Sequence, residues 1–588
     1  MAWDSQLFQG YPCMLKARFD RILQRLRLLV FSEAHSMLLW AALAGVVGAL
    51  ATLAFREGIR FVEELLTGRS GSLVEIAENL PWYLRLCLPA IGGVVAGGIL
   101  LGSNRFATTA SSDYMEAIAI GDGRISVRQS LLRSLSSVST IASGGSIGRE
   151  GSMVQLAATG ASIIGRFFAF DLARLRLLVA CGAAAGITAA YNTPLAGAFF
   201  VTEIVLGAIV IDSFAPIIVA SVAANITMHA VPGYRPTYQM PPFPAIFGPE
   251  IALFVVMGIL IGLLAPAFLA FLDFSKRQFS QLPASLPIRL GLGGLGVGII
   301  SIWVPQVWGN GYSVVNSLLH NPWMWSTVLI VLAAKIVATA FTTGSGAVGG
   351  VFTPTLFVGA AVGWLFGVGA HALFPLAASA PFAFAIVGMG AFLAAAASAP
   401  LMAILMIFEM TLSYQVVLPL MLACVVAHLI TRALDGRPMY AITTRRNQEE
   451  RERLRLRGIH MRDLIKPART VLSPSASMAD LTAMFFANPV KYVYVVDDRE
   501  HFLGVVALSD VTSRLLSPDA AKCQHAGDFL CSDRLHLLTP EMSLDQGLRH
   551  FLDHQGERLP VVQSLEVPIL LGAVYKSALL EACFLMSA

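Results

Sequence analysis

Ser143-Gly-Gly-Ser-Ile-Gly-Arg-Glu-Gly-Ser152 interrupts an otherwise apolar region, and Gly349-Gly-Val-Phe-Thr-Pro354 interrupts a second one farther along the chain. Gly148 falls on Gly350 at an offset of 202 residues. Thr193-Pro-Leu-Ala-Gly-Ala-Phe-Phe-Val-Thr-Glu203 falls on Ala399-Pro-Leu-Met-Ala-Ile-Leu-Met-Ile-Phe-Glu409 at an offset of 206, with Gly182 on Gly388 in the same frame. Two ordered matches at nearly one offset describe a chain that carries its membrane half twice. Repeats with paired broken helices mark transport folds whose ion site lies near the bilayer midplane. Non-helical backbone survives at that depth only where protein buries it or where it lines an aqueous cavity.

Composition agrees with a membrane setting. Of 588 residues, 56% are apolar and 13% charged, against about 45–50% and ~25% in soluble chains. Lipid must therefore be the solvent for most of the polypeptide. The balance of 41 Lys and Arg against 37 Asp and Glu, net +4, is too slight to call for a nucleic-acid partner. The seven cysteines lack CxxC spacing, so neither a disulfide framework nor a metal site is expected.

Residues 1–35 read as a cytoplasmic amino-terminal segment without a signal peptide. Apolar stretches then recur from Met37 onward, at 83–102, 176–231, 250–273, 288–304, 326–341, 351–376, 382–411 and 415–431. Many are shorter than the ~20 residues of a perpendicular span. The membrane domain is read as 36–440, with repeat halves of about 36–231 and 250–434. Basic residues at Lys16–Arg27 and Arg437–Arg457 flank it, which puts both termini in the cytoplasm and makes the number of crossings even. Lys335, inside an apolar run, reads as a snorkelling side chain. A basic linker, 441–458, leads to a soluble α/β region, 459–588. That region repeats as well, in copies of about 459–517 and 525–588: Met461-Arg-Asp-Leu and Leu503-Gly-Val-Val answer Ala526-Gly-Asp-Phe and Leu571-Gly-Ala-Val. Each copy is too small to bury a core alone, so the two are expected to pack together.

Gly145, Gly148 and Gly151 precede an apolar helix. Free amides at a helix amino terminus attract anions, and glycine lets an ion approach the backbone closely. Gly349-Gly-Val351-Phe352 opens its helix in the same way. Two such termini from opposite halves are expected to converge on one weakly held halide. A carboxylate at Glu150 can occupy that site itself and leave when protonated; the plainer reading is a buried capping residue neutralised by Arg149. Intramembrane ionisable groups favour the functional reading. Gly144-Gly-Ser-Ile-Gly148 also matches G-x-S-x-G, but the helical context and the absence of a histidine in such a motif argue against a hydrolase, and no enzyme activity is expected.

Ser143–Ser152, Gly349–Pro354 and Arg437-Pro-Met-Tyr440 resemble the motifs of the CLC chloride channels and transporters; Asp113-Tyr-Met-Glu-Ala117 and Trp308-Gly-Asn-Gly-Tyr312 are similar to the bacterial ClcB-like branch. The resemblance covers about 36–440 and implies an all-α polytopic membrane protein of two inverted repeats, working as a homodimer in the inner membrane with one chloride pore per subunit. It makes Glu150 the gate and puts the Val351 and Phe352 amides, the Tyr440 hydroxyl and the Gly148-Arg149-Glu150-Gly151 turn at the chloride site. Ser111 or Ser112 takes the place of the family's ion-binding serine, although Ala110 aligns equally well. Ser152 replaces a proline, and the change should matter little, because the N–H that proline lacks would be unpaired in the first helical turn anyway. The cytoplasmic glutamate that carries protons in family antiporters is replaced by Ile204, with Glu203 adjacent. The region 459–588 resembles a CBS pair. Asp510 matches a ribose-holding aspartate, but Ala507 fills the hydroxyl slot and the second copy lacks the Asp, so no nucleotide cofactor is expected. The leading expectation is a passive, gated chloride channel; the rivals are a proton-coupled antiporter and a membrane-tethered CBS sensor.

Overall fold

The computed structural model describes residues 33–588 except 70, 105–112, 232–237, 245, 247, 249, 376–377, 435, 441, 443–459, 516–523, 532–535, 553, 555 and 588. The chain forms two compact units, Met1–Thr444 and Arg445–Ala588, which divide within the basic linker; most of that linker lies outside the described residues, as do Ser111 and Ser112.

Among its described residues the first unit is built of helices: α1 (Glu33–Thr67), α2 (Leu73–Glu78), α3 (Trp82–Asn104), α4 (Tyr114–Ala119), α5 (Val127–Ala142), α6 (Glu150–Phe167), α7 (Leu172–Tyr191), α8 (Pro194–Phe199), α9 (Ile211–His229), α10 (Glu250–Gln281), α11 (Leu286–Trp303), α12 (Tyr312–His320), α13 (Trp325–Gly344), α14 (Phe352–Leu373), α15 (Pro381–Ala397), α16 (Pro400–Thr411) and α17 (Val417–Ala433). Among the described residues nine helices are long and apolar enough to cross a membrane, and shorter apolar pieces lie at Pro194–Leu206, Pro381–Ala397 and Pro400–Thr411. Of the short pieces, α15 is buried from Ala383 to Ala397 on every side, as a helix without a polar face must be.

The 206-residue offset has a direct counterpart. In the first repeat α8 starts with Pro194 at its first position, and its Leu195 and Ala196 amides donate to Glu409 at 2.8 Å each. In the second repeat α16 starts with Pro400, and its Leu401 and Met402 amides donate to Glu203 at 3.2 and 2.7 Å. Each half thus closes a helix terminus with the other half's carboxylate. The symmetry breaks just after α8, where Phe200–Leu206 winds as a π-helix, so the angle between Glu203 and Ile204 expected of an α-helix does not apply there.

The second unit contains a three-stranded sheet, β1 (Val471–Leu472), β2 (Tyr492–Val496) and β3 (Phe502–Ala507), and a two-stranded one, β4 (Arg558–Val562) and β5 (Leu570–Tyr575). The copies share their irregularities. β2 pairs antiparallel with β3 and β4 with β5, each with a register shift before its last pair, at Val495/Val496 and Val561/Val562. Four helices accompany them: α18 (Met478–Ala487), α19 (Leu508–Leu515), α20 (Leu544–Leu552) and α21 (Lys576–Ser587). Bridges His460–Ser543, Ser477–His525, Lys466–Ala573 and His501–Ile569 tie the first copy to the second, which gives each half-core a partner.

Candidate anion site

α6 opens at Glu150 behind Arg149, and α14 opens at Phe352 behind Val351; neither terminus receives a side-chain cap from its own N-cap residue. First-turn amides lack helical acceptors, and the aligned peptide dipoles add positive potential there. The two termini meet backbone to backbone. Gly148 N–H donates to Gly350 O at 2.7 Å and Gly350 N–H to Gly148 O at 2.8 Å, so the glycines matched by the 202-residue offset are hydrogen-bonded to each other. A methyl group on Gly148 would collide with Gly350 O and Glu150 Oε2, which is why this position requires glycine.

The Glu150 side chain, 2% exposed, lies in the gap between these termini. Its Oε1 accepts from Tyr312 Oη at 2.7 Å and from Thr353 Oγ1. The hydroxyls continue as a string: Tyr312 Oη is 3.1 Å from Thr353 Oγ1, and Tyr191 Oη is 2.9 Å from it on another side. Glu150 Oε2 is buried without a hydrogen-bond partner among the described residues. The Arg149 guanidinium, instead of neutralising the carboxylate, lies 5.0 Å from the centre of the Tyr312 ring, and Tyr238 meets that ring edge-on at 5.0 Å.

A cavity of about 450 Å³ reaches this point. Glu150, Gly151, Val351, Phe352 and Tyr440 line it together, with Arg133, Lys276 and Arg437 as cations and Asp113 and Asp273 as further carboxylates. Tyr440 is fixed by Met439 N–H, which donates to Ala396 O at 2.8 Å at the end of α15, and by its ring against Phe200 at 5.9 Å. Gly148 and Arg149 are not among the residues that line it. Ile204 is 1% exposed and Glu203 is engaged at the α16 terminus; neither lines the cavity.

Three hydroxyl residues at this site, Tyr312, Thr353 and Tyr191, carry no role in the sequence reading. Tyr312 and Thr353 stand inside quoted motifs, but their contacts with Glu150 span 162 and 203 residues, which no local spacing reveals. Lys335 corrects an expectation. Its side chain does not snorkel: it is 0% exposed, and Nζ donates to Val307 O at 2.9 Å and Gly309 O at 2.6 Å.

In the second unit Asp510 sits in the first turn of α19, its Oδ1 accepting from Ser509 Oγ at 3.2 Å. A more deeply buried cluster lies elsewhere. Arg558, 4% exposed, donates to Tyr492 O at 2.8 Å and covers the Tyr494 ring at 4.9 Å. Burial pushes the Tyr492 phenol up to about 12 against the pull of Arg558, and desolvation by burial draws His554, beside it at 3.1 Å, below the usual histidine range.

Two open helix termini, one from each repeat, meeting at a buried carboxylate beside a cavity within membrane helices, define a transport protein of the broken-helix class. Residues 92–432 match the sequence family described as voltage gated chloride channel, and residues 459–517 match the CBS domain. The chain belongs to this chloride channel and transporter family, CLC, which is an ion-transport family and not one of enzymes. It is 52% identical to a ClcB-like protein of Ralstonia nicotianae over 423 residues, 71% of this chain and 99% of that protein. It is 39% identical to the voltage-gated ClC-type chloride channel ClcB of an Escherichia coli strain over 408 residues, 68% of this chain and 97% of that one. Among solved structures, a slow cyanobacterial Cl⁻/H⁺ antiporter is similar at TM-score 0.62 and 26% identity, over 70% of this chain and 97% of that one. A eukaryotic CLC transporter shares the fold at TM-score 0.57 and 18% identity, over 93% of this chain and 99% of the other.

Proposed function

We propose that the chain is a passive chloride channel gated by Glu150. In this reading chloride occupies the space that the Glu150 carboxylate fills, held by the first-turn amides of α14 at Val351 and Phe352, by the Gly148–Gly151 turn and by the Tyr440 hydroxyl, with Ser111 or Ser112 as a further donor. Protonation neutralises Glu150, so the carboxyl no longer competes for amides that favour an anion. The observation that carries passive conduction is the pair Ile204 and Glu203: an alkyl side chain cannot relay a proton, and the carboxylate beside it is engaged by two backbone amides.

The second reading, a proton-coupled chloride antiporter, is favoured by the likeness to the cyanobacterial Cl⁻/H⁺ antiporter at 26% identity. Reversal potentials in proteoliposomes separate the two. Under a chloride gradient of about fourfold, the channel reading expects a reversal potential of about 36 mV in magnitude, the chloride equilibrium value, unmoved by an added pH gradient of about one unit. A clear shift with pH, or chloride driving protons uphill, rejects it. Robust anion flux of either kind removes the sensor alternative.

The working unit is proposed as a homodimer in a bacterial inner membrane with both termini cytoplasmic, and the CBS pair as a ligand-free regulatory or dimerising region. Ala507 beside Asp510 and the absence of an equivalent acid near Ser577 support the last point.

A further inference from the structure

Lys335 is a fully buried lysine in the membrane unit, and among the described residues its Nζ is matched by backbone carbonyls rather than by a carboxylate. Ionisable side chains within membrane segments are rare and expensive to place, and they persist where they do something specific. Both hydrogen bonds of its Nζ go to the segment Val307–Tyr312, and its ammonium lies 5.8 Å from the Phe357 ring of α14. That segment turns tightly: Gly309 and Gly311 hold φ of +66° and +95°, where residues other than glycine rarely go. It is wedged on its other side by Trp308, 0% exposed, whose indole packs where a side chain on Gly144 would stand. At its end is Tyr312, whose hydroxyl donates to Glu150.

We propose that Lys335 is a positioning residue of the gate: by clasping the carbonyls of Val307 and Gly309 it fixes the segment that delivers the Tyr312 hydroxyl to Glu150. The proposal rests on the reading of Glu150 as gate. The polar groups facing Glu150 are Tyr312, Thr353 and, behind Thr353, Tyr191; Arg149 and Tyr238 flank the Tyr312 ring, and Tyr440 shares the cavity. A donor to the anionic carboxylate favours the charged, blocking form, so losing that donor lets the gate protonate and open at a lower proton concentration.

The test is the pH profile of chloride flux in proteoliposomes for the full-length protein and its variants. Tyr312→Phe is expected to reach half-activation at roughly three- to tenfold lower proton concentration, the effect of one lost hydrogen bond. Lys335→Met is expected to shift the profile in the same direction and by less, because Trp308 still holds the segment. Lys335→Arg restores the native profile. Lys335→Met combined with Tyr312→Phe reproduces Tyr312→Phe alone, since residues acting through one contact do not add. A Lys335→Met protein that folds and keeps the native profile, or a double variant whose shifts add, overturns the proposal. If Lys335→Met does not accumulate, Lys335→Gln is read in its place, and an unshifted Tyr312→Phe profile overturns the proposal without any lysine variant. A pH dependence that survives Glu150→Gln rejects the gate itself, a result distinct from all of these.

Discussion

Glu203 and Glu409 on one side and Glu150 on the other are acidic side chains at helix termini of the same membrane unit, held by different kinds of partner. Glu203 and Glu409 each bind two consecutive backbone amides of the opposite repeat. Those donors belong to the first turns of α16 and α8 and lose their acceptor if the carboxylate leaves. Glu150 is held through one oxygen by side-chain hydroxyls, while its other oxygen has no hydrogen-bond partner among the described residues. Hydroxyls rotate and find other acceptors; peptide amides in a helix do not. The same residue type is therefore a fastener in one place and a removable stopper in the other, and what separates them is what is stranded on departure.

The contrast is broken most decisively by removing the fasteners. Glu203→Ala with Glu409→Ala strips acceptors from four first-turn amides, those of Ala196 and Met402 in part-buried positions and those of Leu195 and Leu401 on exposed residues, at roughly 1–3 kcal/mol for each one left unsatisfied out of water. Most of the folded protein is expected to be lost, read as a collapse of the thermal midpoint in detergent; a Tm within a few degrees of the native value would erase the distinction. Glu150→Gln is expected to cost less than about 1 kcal/mol by the same measure, while raising chloride flux and flattening its pH dependence. Unchanged flux with unchanged pH dependence would make Glu150 a third fastener. Glu203→Gln retains one acceptor oxygen, so a loss of about 1–2 kcal/mol is expected with the reversal potential unmoved; a reversal potential that changes would put Glu203 on a proton path. Tyr191→Phe touches the stopper only through Thr353 and should move the half-activating proton concentration about twofold or less, measured in the same flux assay.

The repeat, the broken helices and the meeting of two glycine termini could be read from the chain because each is written as a spacing: 202 residues separate Gly148 from Gly350, and 206 separate Glu203 from Glu409. The cross-capping itself was hidden. Glu203 and Glu409 align with each other, yet nothing in the alignment says that each reaches the other's helix. Tyr312, Thr353 and Tyr191 were invisible for a related reason, since they come from three separate helices and share no periodicity. Lys335 was misread because an apolar run suggests lipid on every side, whereas α13 turns that residue toward the carbonyls of the Val307–Tyr312 segment. The π-helical winding of Phe200–Leu206 left no signature in residue types at all.

The reciprocal caps also set a timetable for biosynthesis. Glu409 follows Ala196 by 213 residues, and chain elongation at about 5–20 residues per second separates the two by on the order of 10–40 s. For that interval the α8 terminus is in the membrane before its acceptor has been made, so the first half cannot reach its final hydrogen bonding while it is alone. Its last closure coincides with arrival of the second half, and a ribosomal pause between α9 and α16 would lengthen the exposure of those amides in direct proportion.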